Sequence, residues 1–245
     1  MSDIKEYIDK TLQEEYTYLK TLSETSINTL KLYQHNSSGK KLVTIESKYR
    51  NDEVFRALRG LNTHGYTPRI YEVASEEDFL FVLEEFIEGE PLSDYLTGKK
   101  ELSKPQIVDI LIDLCTALEI LHSYKIVHRD IKPENVIIGK ENACLIDFSV
   151  AKMISNKSAD TVSLGTAGFA APEQYGVAQS QPTADIYALG VLANILILGK
   201  HPTSGVPKGY LGSIIKKCTN IQTSKRYQSA GELKKALLKV KKISK

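Results

Sequence analysis

His128-Arg129-Asp130-Ile131-Lys132-Pro133-Glu134-Asn135 brings a carboxylate, an ammonium and a carboxamide into one short stretch. Asp130 offers an oxygen that accepts a hydroxyl proton and holds that hydroxyl in line with a phosphorus. Lys132, two residues on, can neutralise charge on a phosphoryl group in transfer. Asn135 offers a neutral amide oxygen, which a magnesium ion accepts beside carboxylates and phosphates. Twelve residues further on, the apolar run Leu145-Ile146-Asp147-Phe148 brings in a second carboxylate suited to the same metal. Together these residues point to phosphoryl transfer. A surface loop carrying the same letters by chance is the plain alternative. The motif's place within a strand-then-helix pattern argues against it.

The order of these residues resembles the catalytic-loop and metal-loop signature of protein kinases. The resemblance implies Asp130 as catalytic base, Lys132 as phosphate neutraliser, and Asn135 and Asp147 as Mg2+ ligands. Lys132 is also the residue that the family's Ser/Thr members carry at this place. Asp147-Phe148-Ser149 departs from the family's Asp-Phe-Gly, and a serine there removes easy access to positive φ, so a stiffer loop is expected. Gly165-Thr166-Ala167-Gly168-Phe169-Ala170-Ala171-Pro172-Glu173 resembles the end of the activation segment, which receives the substrate. By that resemblance Thr166 bridges Asp130 and Lys132, Glu173 pairs with Arg226, and Asp185 holds the catalytic loop's backbone. Ser155, Ser158, Thr161 and Ser163 lie between Asp147 and Glu173. A phosphate on them, Thr161 and Ser163 first, would find a guanidinium in Arg129.

Working outward, 245 residues suffice for one large domain or two lobes. With 32 basic and 30 acidic residues the net charge is +2, which gives no field to draw nucleic acid or a membrane. The lysine cluster Lys234, Lys235, Lys239, Lys241, Lys242 and Lys245 reads as a solvated helix face. Cys115, Cys144 and Cys218 have no metal spacing, and the first two sit in apolar runs as reduced core residues. The amino terminus lacks a signal-peptide run, and Ile186 to Leu198 is too short to cross a bilayer. A cytoplasmic protein with no membrane segment is expected.

Hydrophobic periodicity predicts a short helix carrying Ile4, Tyr7, Ile8 and Leu12, then strands from Tyr16 to Glu46 with a turn at Asn36-Ser37-Ser38-Gly39. A helix over Asp52 to Leu61 and strands around Arg69–Ala74 and Asp78–Glu84 follow. Ile87-Glu88-Gly89-Glu90-Pro91 breaks the pattern. Beyond it helices dominate: one capped by Ser103 with Pro105 in its first turn, a nearly all-apolar one from Asp185 to Leu198 ended by Gly199, and an amphipathic one from Ser229 to Val240. The expected fold is α+β and bilobal, as in protein kinases. The resemblance implies a single kinase domain over residues 1–245, with 1–86 a small antiparallel-sheet lobe and 87–245 a mostly helical lobe.

The amino-terminal third departs most from the family. The stretch Leu22 to Leu30, where a Gly-x-Gly-x-x-Gly hairpin would cover phosphates, has no glycine, and Ser23, Thr25 and Asn28 replace them. Val43-Thr44-Ile45-Glu46 overlays Val-Ala-Ile-Lys and sets an acid in the place of the ATP-binding lysine. Alternation puts Thr44, Glu46 and Lys48 on one face, so Lys48 is the candidate ammonium and Glu53 its partner. A carboxylate facing triphosphate repels it unless a metal or another lysine intervenes. Phe81 to Ile87 resembles the strand entering the hinge, which gives Glu85 and Ile87 backbone to the adenine edge. Glu84 falls at the gatekeeper place, the plain alternative being an exposed strand residue.

The resemblance covers about residues 16–240, most closely a bacterial Ser/Thr kinase of the eukaryotic type. It implies ATP and Mg2+ as cofactors, a protein substrate, and autophosphorylation in the activation segment. No tail follows the catalytic region, so any regulatory or sensor protein is expected to be a separate molecule. The alternative reading is a pseudokinase, a nucleotide- or protein-binding regulatory module, suggested by the missing glycines, Glu46 and Ser149. A small-molecule kinase is the third, disfavoured by the intact Ala171-Pro172-Glu173 segment.

Overall fold

The strand-like stretches between Tyr16 and Glu85 form one antiparallel sheet in the computed structural model, which describes residues 3–49, 51–77, 79–98, 100–154, 166–175 and 181–243. The chain divides into two compact units, residues 1–62 with 68–87 and residues 63–67 with 88–245.

The first unit comprises α1 (Asp3–Glu15), β1 (Tyr16–Glu24), β2 (Asn28–His35), β3 (Lys41–Ser47), α2 (Asp52–Arg59), β4 (Ile70–Glu76) and β5 (Phe79–Glu85). The strand order is β1-β2-β3-β5-β4. Pairing and alternation sort the side chains onto two faces. Ser47, Leu80 and Ser75 pair across β3, β5 and β4, as do Ile45, Val82 and Val73, so all six share one face. On that face lies α2. The Ser75 hydroxyl donates to Asp52 Oδ2 at 3.3 Å, Arg56 Nη2 donates to Ser75 Oγ at 3.2 Å, and Val54, Phe55 and Leu58 are buried. The opposite face carries Lys31, Thr44, Glu46, Phe79 and Phe81. There the Lys5 ammonium of α1 stands 5.4 Å from the Phe79 ring centre.

At the sheet's edge, β1 exposes every residue after Tyr16, including Tyr18, Leu19 and Leu22. Its pairing with β2 shifts register twice, between Tyr18 and Lys20 and between Thr21 and Ser23.

In the second unit come β6 (Glu90–Pro91), α3 (Ser93–Leu96), α4 (Lys104–Ser123), β7 (Ile126–Val127), β8 (Val136–Ile138), β9 (Ala143–Leu145), β10 (Lys152–Met153), α5 (Pro182–Leu198), α6 (Tyr210–Cys218) and α7 (Ala230–Ile243). Small sheets β6-β8-β9 and β10-β7 frame the loops between the long helices. Ser103 caps α4 as its sequence predicts. Its hydroxyl accepts the Gln106 N–H and the Gln106 side chain returns to the Ser103 N–H, a reciprocal box that satisfies two end donors. Ile107, Ile110, Leu111, Leu114, Leu118 and Leu121 of α4 are all buried. Residues Thr183 to Asn194 of α5 are buried without interruption, and Gly199 ends that helix at φ +66°.

Two of the C-terminal lysines do more than face water. Lys234 meets Glu119 at 2.8 Å and Lys241 meets Asp109 at 2.7 Å, tying α7 to α4 at two points. Cys115, Cys144 and Cys218 are buried and free. Burial pushes the Cys218 thiol up to about 12, so it stays protonated as a small core residue. Among the described residues no helix is long and apolar enough to cross a membrane.

Candidate active site

Strand β7 delivers the chain into the loop His128–Asn135, whose backbone is held by Asp185 at the start of α5. Asp185 is fully buried. Its Oδ2 accepts the His128 N–H at 3.0 Å, its Oδ1 accepts the Arg129 N–H at 2.8 Å, and His122 Nε2 lies 2.8 Å from Oδ2. Burial would raise this carboxyl's pKa, but the His122 hydrogen bond and the surrounding donors outweigh it and hold the group below the usual carboxylate range. His122 had no spacing that marked it. It is the penultimate residue of α4 and reaches a residue 63 positions away.

Asp130 is the centre of a closed set of hydrogen bonds. Its Oδ1 accepts from the Thr166 hydroxyl at 2.7 Å and the Thr166 N–H at 3.1 Å. Its Oδ2 lies 2.7 Å from the Lys132 ammonium and accepts from Asn135 Nδ2 at 3.1 Å. Four donors thus meet a carboxylate that has about four lone-pair directions. Lys132 Nζ also reaches Thr166 Oγ1 at 3.0 Å. The structure therefore brings Asp130, Lys132, Asn135 and Thr166 together. Burial favours the neutral acid here, yet the bonds from Lys132 and Thr166 prevail and keep Asp130 ionised below its ordinary range.

Asn135 spends its Nδ2 on Asp130, at 2.9 Å to the main-chain carbonyl as well as on the carboxylate. That leaves the Oδ1 side of the carboxamide for a cation. The Asn135 carbonyl accepts the Ile146 N–H at 2.9 Å, which sets Asp147 one residue beyond this link. Among the described residues no group of three or more His, Cys, Asp and Glu forms a metal cluster. One carboxylate and one amide oxygen fit Mg2+, which keeps waters and phosphate oxygens in most of its positions.

The loop after Asp147 differs from expectation in where its unusual backbone falls. Asp147 itself takes φ +65°, and its Oδ1 accepts the Ser149 N–H at 3.0 Å. Ser149 has no need of a left-handed conformation, so the glycine that the family places there is dispensable in this geometry. Phe148 is wholly buried, edge-on to the His128 ring at 5.1 Å, and His128 Nε2 lies 3.1 Å from the Ile146 carbonyl. The hydroxyl candidates Ser155, Ser158, Thr161 and Ser163 lie outside the described residues, as does Gly165.

At the far end of the segment, Arg226 grips Glu173 in fork fashion, Nη1 to Oε1 at 2.5 Å and Nη2 to Oε2 at 2.8 Å. The remaining donors of Arg226 go to the carbonyls of Thr183, Asn220 and Ile221.

The nucleotide-binding candidates of the first unit are more scattered. Glu46 does not stand bare. Lys31 of β2 meets it at 3.2 Å, on the face that carries α1 rather than α2. Lys31 is thus the intervening lysine, which hairpin register could have located: counting back from the Asn36–Gly39 turn puts it opposite Thr44. Strand β3 stops at Ser47, so alternation no longer places Lys48. The Lys48 ammonium instead donates to the Ser26 carbonyl at 3.1 Å and its N–H to the Ile27 carbonyl at 3.0 Å, which pins it to the β1–β2 hairpin tip. Among the described residues Lys48 and Glu53 form no ion pair, and Glu53 is exposed.

The hairpin tip has a compensation for its missing glycines. Thr25 Oγ1 accepts the N–H groups of Ile27 at 3.3 Å and Asn28 at 2.9 Å, and the Thr25 N–H donates to the Asn28 carbonyl at 2.8 Å. These amides are taken up by the Thr25 hydroxyl and the Asn28 carbonyl rather than standing open. The Glu85 N–H is engaged with the Arg69 carbonyl at 2.9 Å, and Ile87 closes the first unit. Glu84 is 6% exposed, so the exposed-strand alternative does not hold. It shares the α2 face with Val43 and Ile70.

Known proteins match along most of this length. The protein kinase domain family matches residues 40–243. The serine/threonine-protein kinase PknA of Nostoc sp. is 35% identical over 162 residues, 62% of this chain and 28% of that protein. The serine/threonine-protein kinase C of Synechocystis sp. is 31% identical over 221 residues, 79% of this chain and 41% of that protein. The carbon catabolite-derepressing protein kinase of Candida tropicalis is 27% identical over 228 residues, 88% of this chain and 36% of that protein. The chain spans less than half the length of each of these relatives. The matched residues run from β3 through the Asp130 loop to α7, and the chain belongs to the protein kinase domain family.

Proposed function

We propose that this chain is a Ser/Thr protein kinase domain that transfers the γ-phosphoryl group of ATP to protein hydroxyls with Mg2+. The observation that carries the reading is the Asp130 carboxylate bonded at once to Lys132, Thr166 and Asn135 within 3.1 Å. When bound, Mg-ATP supplies the phosphoryl group and offsets its charge. An acceptor hydroxyl reaches Asp130 by taking a place that Thr166 or Lys132 now holds, since all four acceptor directions are in use. An aspartate held ionised this firmly is a weak base. Its work is mainly to orient the hydroxyl, and it accepts the proton late, as phosphorus–oxygen bonding develops. Lys132, 2.7 Å from Asp130, is at hand to neutralise the transferring group. Asn135 and Asp147 would hold the metal.

In the same reading residues 1–86 and 87–245 are the two lobes of one domain. Glu85 and Ile87 offer main-chain groups to adenine, and Lys48 serves the phosphates once it leaves the Ser26 carbonyl. Protein substrates, autophosphorylation in the segment before Thr166, a cytoplasmic setting and a separate regulatory protein complete the proposal. Neither nucleic acid nor a membrane is among its partners.

Incubation with Mg-ATP, followed by phosphosite mapping, tests this reading. Mg-dependent incorporation on Ser or Thr is expected. Nucleotide binding without incorporation into any protein would overturn it. Lys48→Met separately tests the lysine: it should raise KM for ATP by about tenfold, the loss of one charge-assisted contact. Lys40→Met and Lys41→Met should leave KM unchanged. Equal effects from all three would remove Lys48 from the nucleotide site.

A further inference from the structure

Gln174 lies in the short 3-10 turn Pro172–Tyr175 and is 6% exposed. Its carboxamide is used at both ends. Oε1 accepts the Ala171 N–H at 2.9 Å, and Nε2 donates to the Arg129 carbonyl at 3.0 Å. The two partners, a donor and an acceptor, fix which end of the amide is which.

The Arg129 carbonyl belongs to the peptide group that leads into Asp130. The N–H of that same peptide is aimed at His128 Nδ1, 3.4 Å away. Asp185 holds the N–H groups of His128 and Arg129 but touches neither end of this peptide. Arg129 meanwhile sits at φ +72°, a left-handed conformation that a residue with a side chain adopts at a cost and only when its surroundings impose it. Of the bonds holding the Arg129–Asp130 peptide, the one from Gln174 is the shorter.

We infer that Gln174 is a positioning residue that sets the orientation of the Arg129–Asp130 peptide, and so of the Asp130 carboxylate, from the end of the segment that carries Thr166 and Glu173. The inference rests on the phosphotransfer reading for its effect on rate. Because Oε1 is anchored on Ala171, a shift of that segment moves the catalytic loop directly. Thr166 bonds the carboxylate itself from the other end of the same segment, so the two contacts report on one piece of chain.

Two substitutions separate this role from simple packing. Gln174→Met keeps the volume and removes both polar contacts. Gln174→Glu keeps an acceptor for Ala171 but, when ionised, sets a negative oxygen against the Arg129 carbonyl. When protonated, the Glu side chain is nearly isosteric with glutamine and donates again.

The measurements are kcat and KM per nucleotide-binding site, with hydrogen exchange across residues 128–135. Gln174→Met is expected to lower kcat about 10- to 100-fold, the scale of a misplaced reacting group, with KM for ATP unchanged and faster exchange in the loop. Gln174→Glu should recover kcat relative to wild type as pH falls, over the range in which both stay folded. A kcat per site equal to wild type in Gln174→Met, or no recovery of Gln174→Glu on acidification, overturns the inference. Should wild type transfer no phosphate, exchange still decides. Faster loop exchange in Gln174→Met keeps the clamp and fells only the phosphotransfer reading, and unchanged exchange fells both.

Discussion

Asp130→Asn is expected to lose about two or more decades of phosphoryl transfer while it still binds nucleotide. The substitution barely changes shape, so the loss is chemical. At the Oδ2 side an NH2 group would face the Lys132 ammonium across 2.7 Å, donor against donor. Turning the amide over relieves this but sets the NH2 against Thr166, whose N–H and hydroxyl both donate to Oδ1. No orientation keeps all the bonds, and the negative charge that accepts the proton is lost either way. Transfer retained in this variant would remove Asp130 from the mechanism.

The pH dependence follows from the same contacts. Burial pulls Asp130 toward its neutral form, but Lys132 and Thr166 hold its folded pKa below the ordinary value of about 3.9. Its stabilising contribution is therefore complete above that value and is lost as pH falls through the lower folded one. Any acid limb of kcat/KM, which reports the free enzyme, seen between mildly acidic and neutral pH belongs to another group. A kcat/KM profile whose acid limb in that range vanished in Asp130→Asn would contradict this.

Arg226→Met is expected to give the largest loss of stability, about 3–5 kcal/mol, because it strands a partly buried charge. Glu173 would lose both of its bonds in a site where its side chain is 16% exposed, and the carbonyls of Thr183, Asn220 and Ile221 would lose their donors. Methionine fills much of the volume, so the deficit is electrostatic rather than a cavity. For a chain of this size the midpoint of thermal unfolding should fall by on the order of 10 °C. Combining it with Glu173→Gln should cost less than the sum of the two single changes, since one charge no longer waits for the other. A loss under about 1 kcal/mol would mean the pair is as weak as an exposed one.

The catalytic loop was legible because its chemistry is local: Asp130, Lys132 and Asn135 lie within six residues, and no tertiary knowledge is needed to put them in one loop. The helices were legible for a similar reason, since a stripe such as Ile107 to Leu121 and a cap such as Ser103 carry their own period and punctuation. What could not be read depends on distance along the chain. Gln174 and the Arg129 carbonyl are 45 residues apart, His122 and Asp185 are 63 apart, and neither pair has a spacing that marks it. Lys31 and Glu46 were within reach of hairpin counting. The same counting fails at Lys48, because the strand ends one residue before it. The left-handed backbone of this loop falls on Asp147, where no glycine signals it.

Concentrated solutions bring the outer edges of separate sheets into contact. A straight edge strand the length of β1, with Tyr18, Leu19 and Leu22 in water, would offer a row of unpaired amides and carbonyls on which a second molecule could zip and then stack. The two register shifts break that row at Tyr18/Lys20 and again at Thr21/Ser23, and Lys20 sets an ammonium between the interruptions. An incoming strand finds only short runs in step before it must buckle. The edge can therefore carry its apolar side chains in the open without seeding fibres.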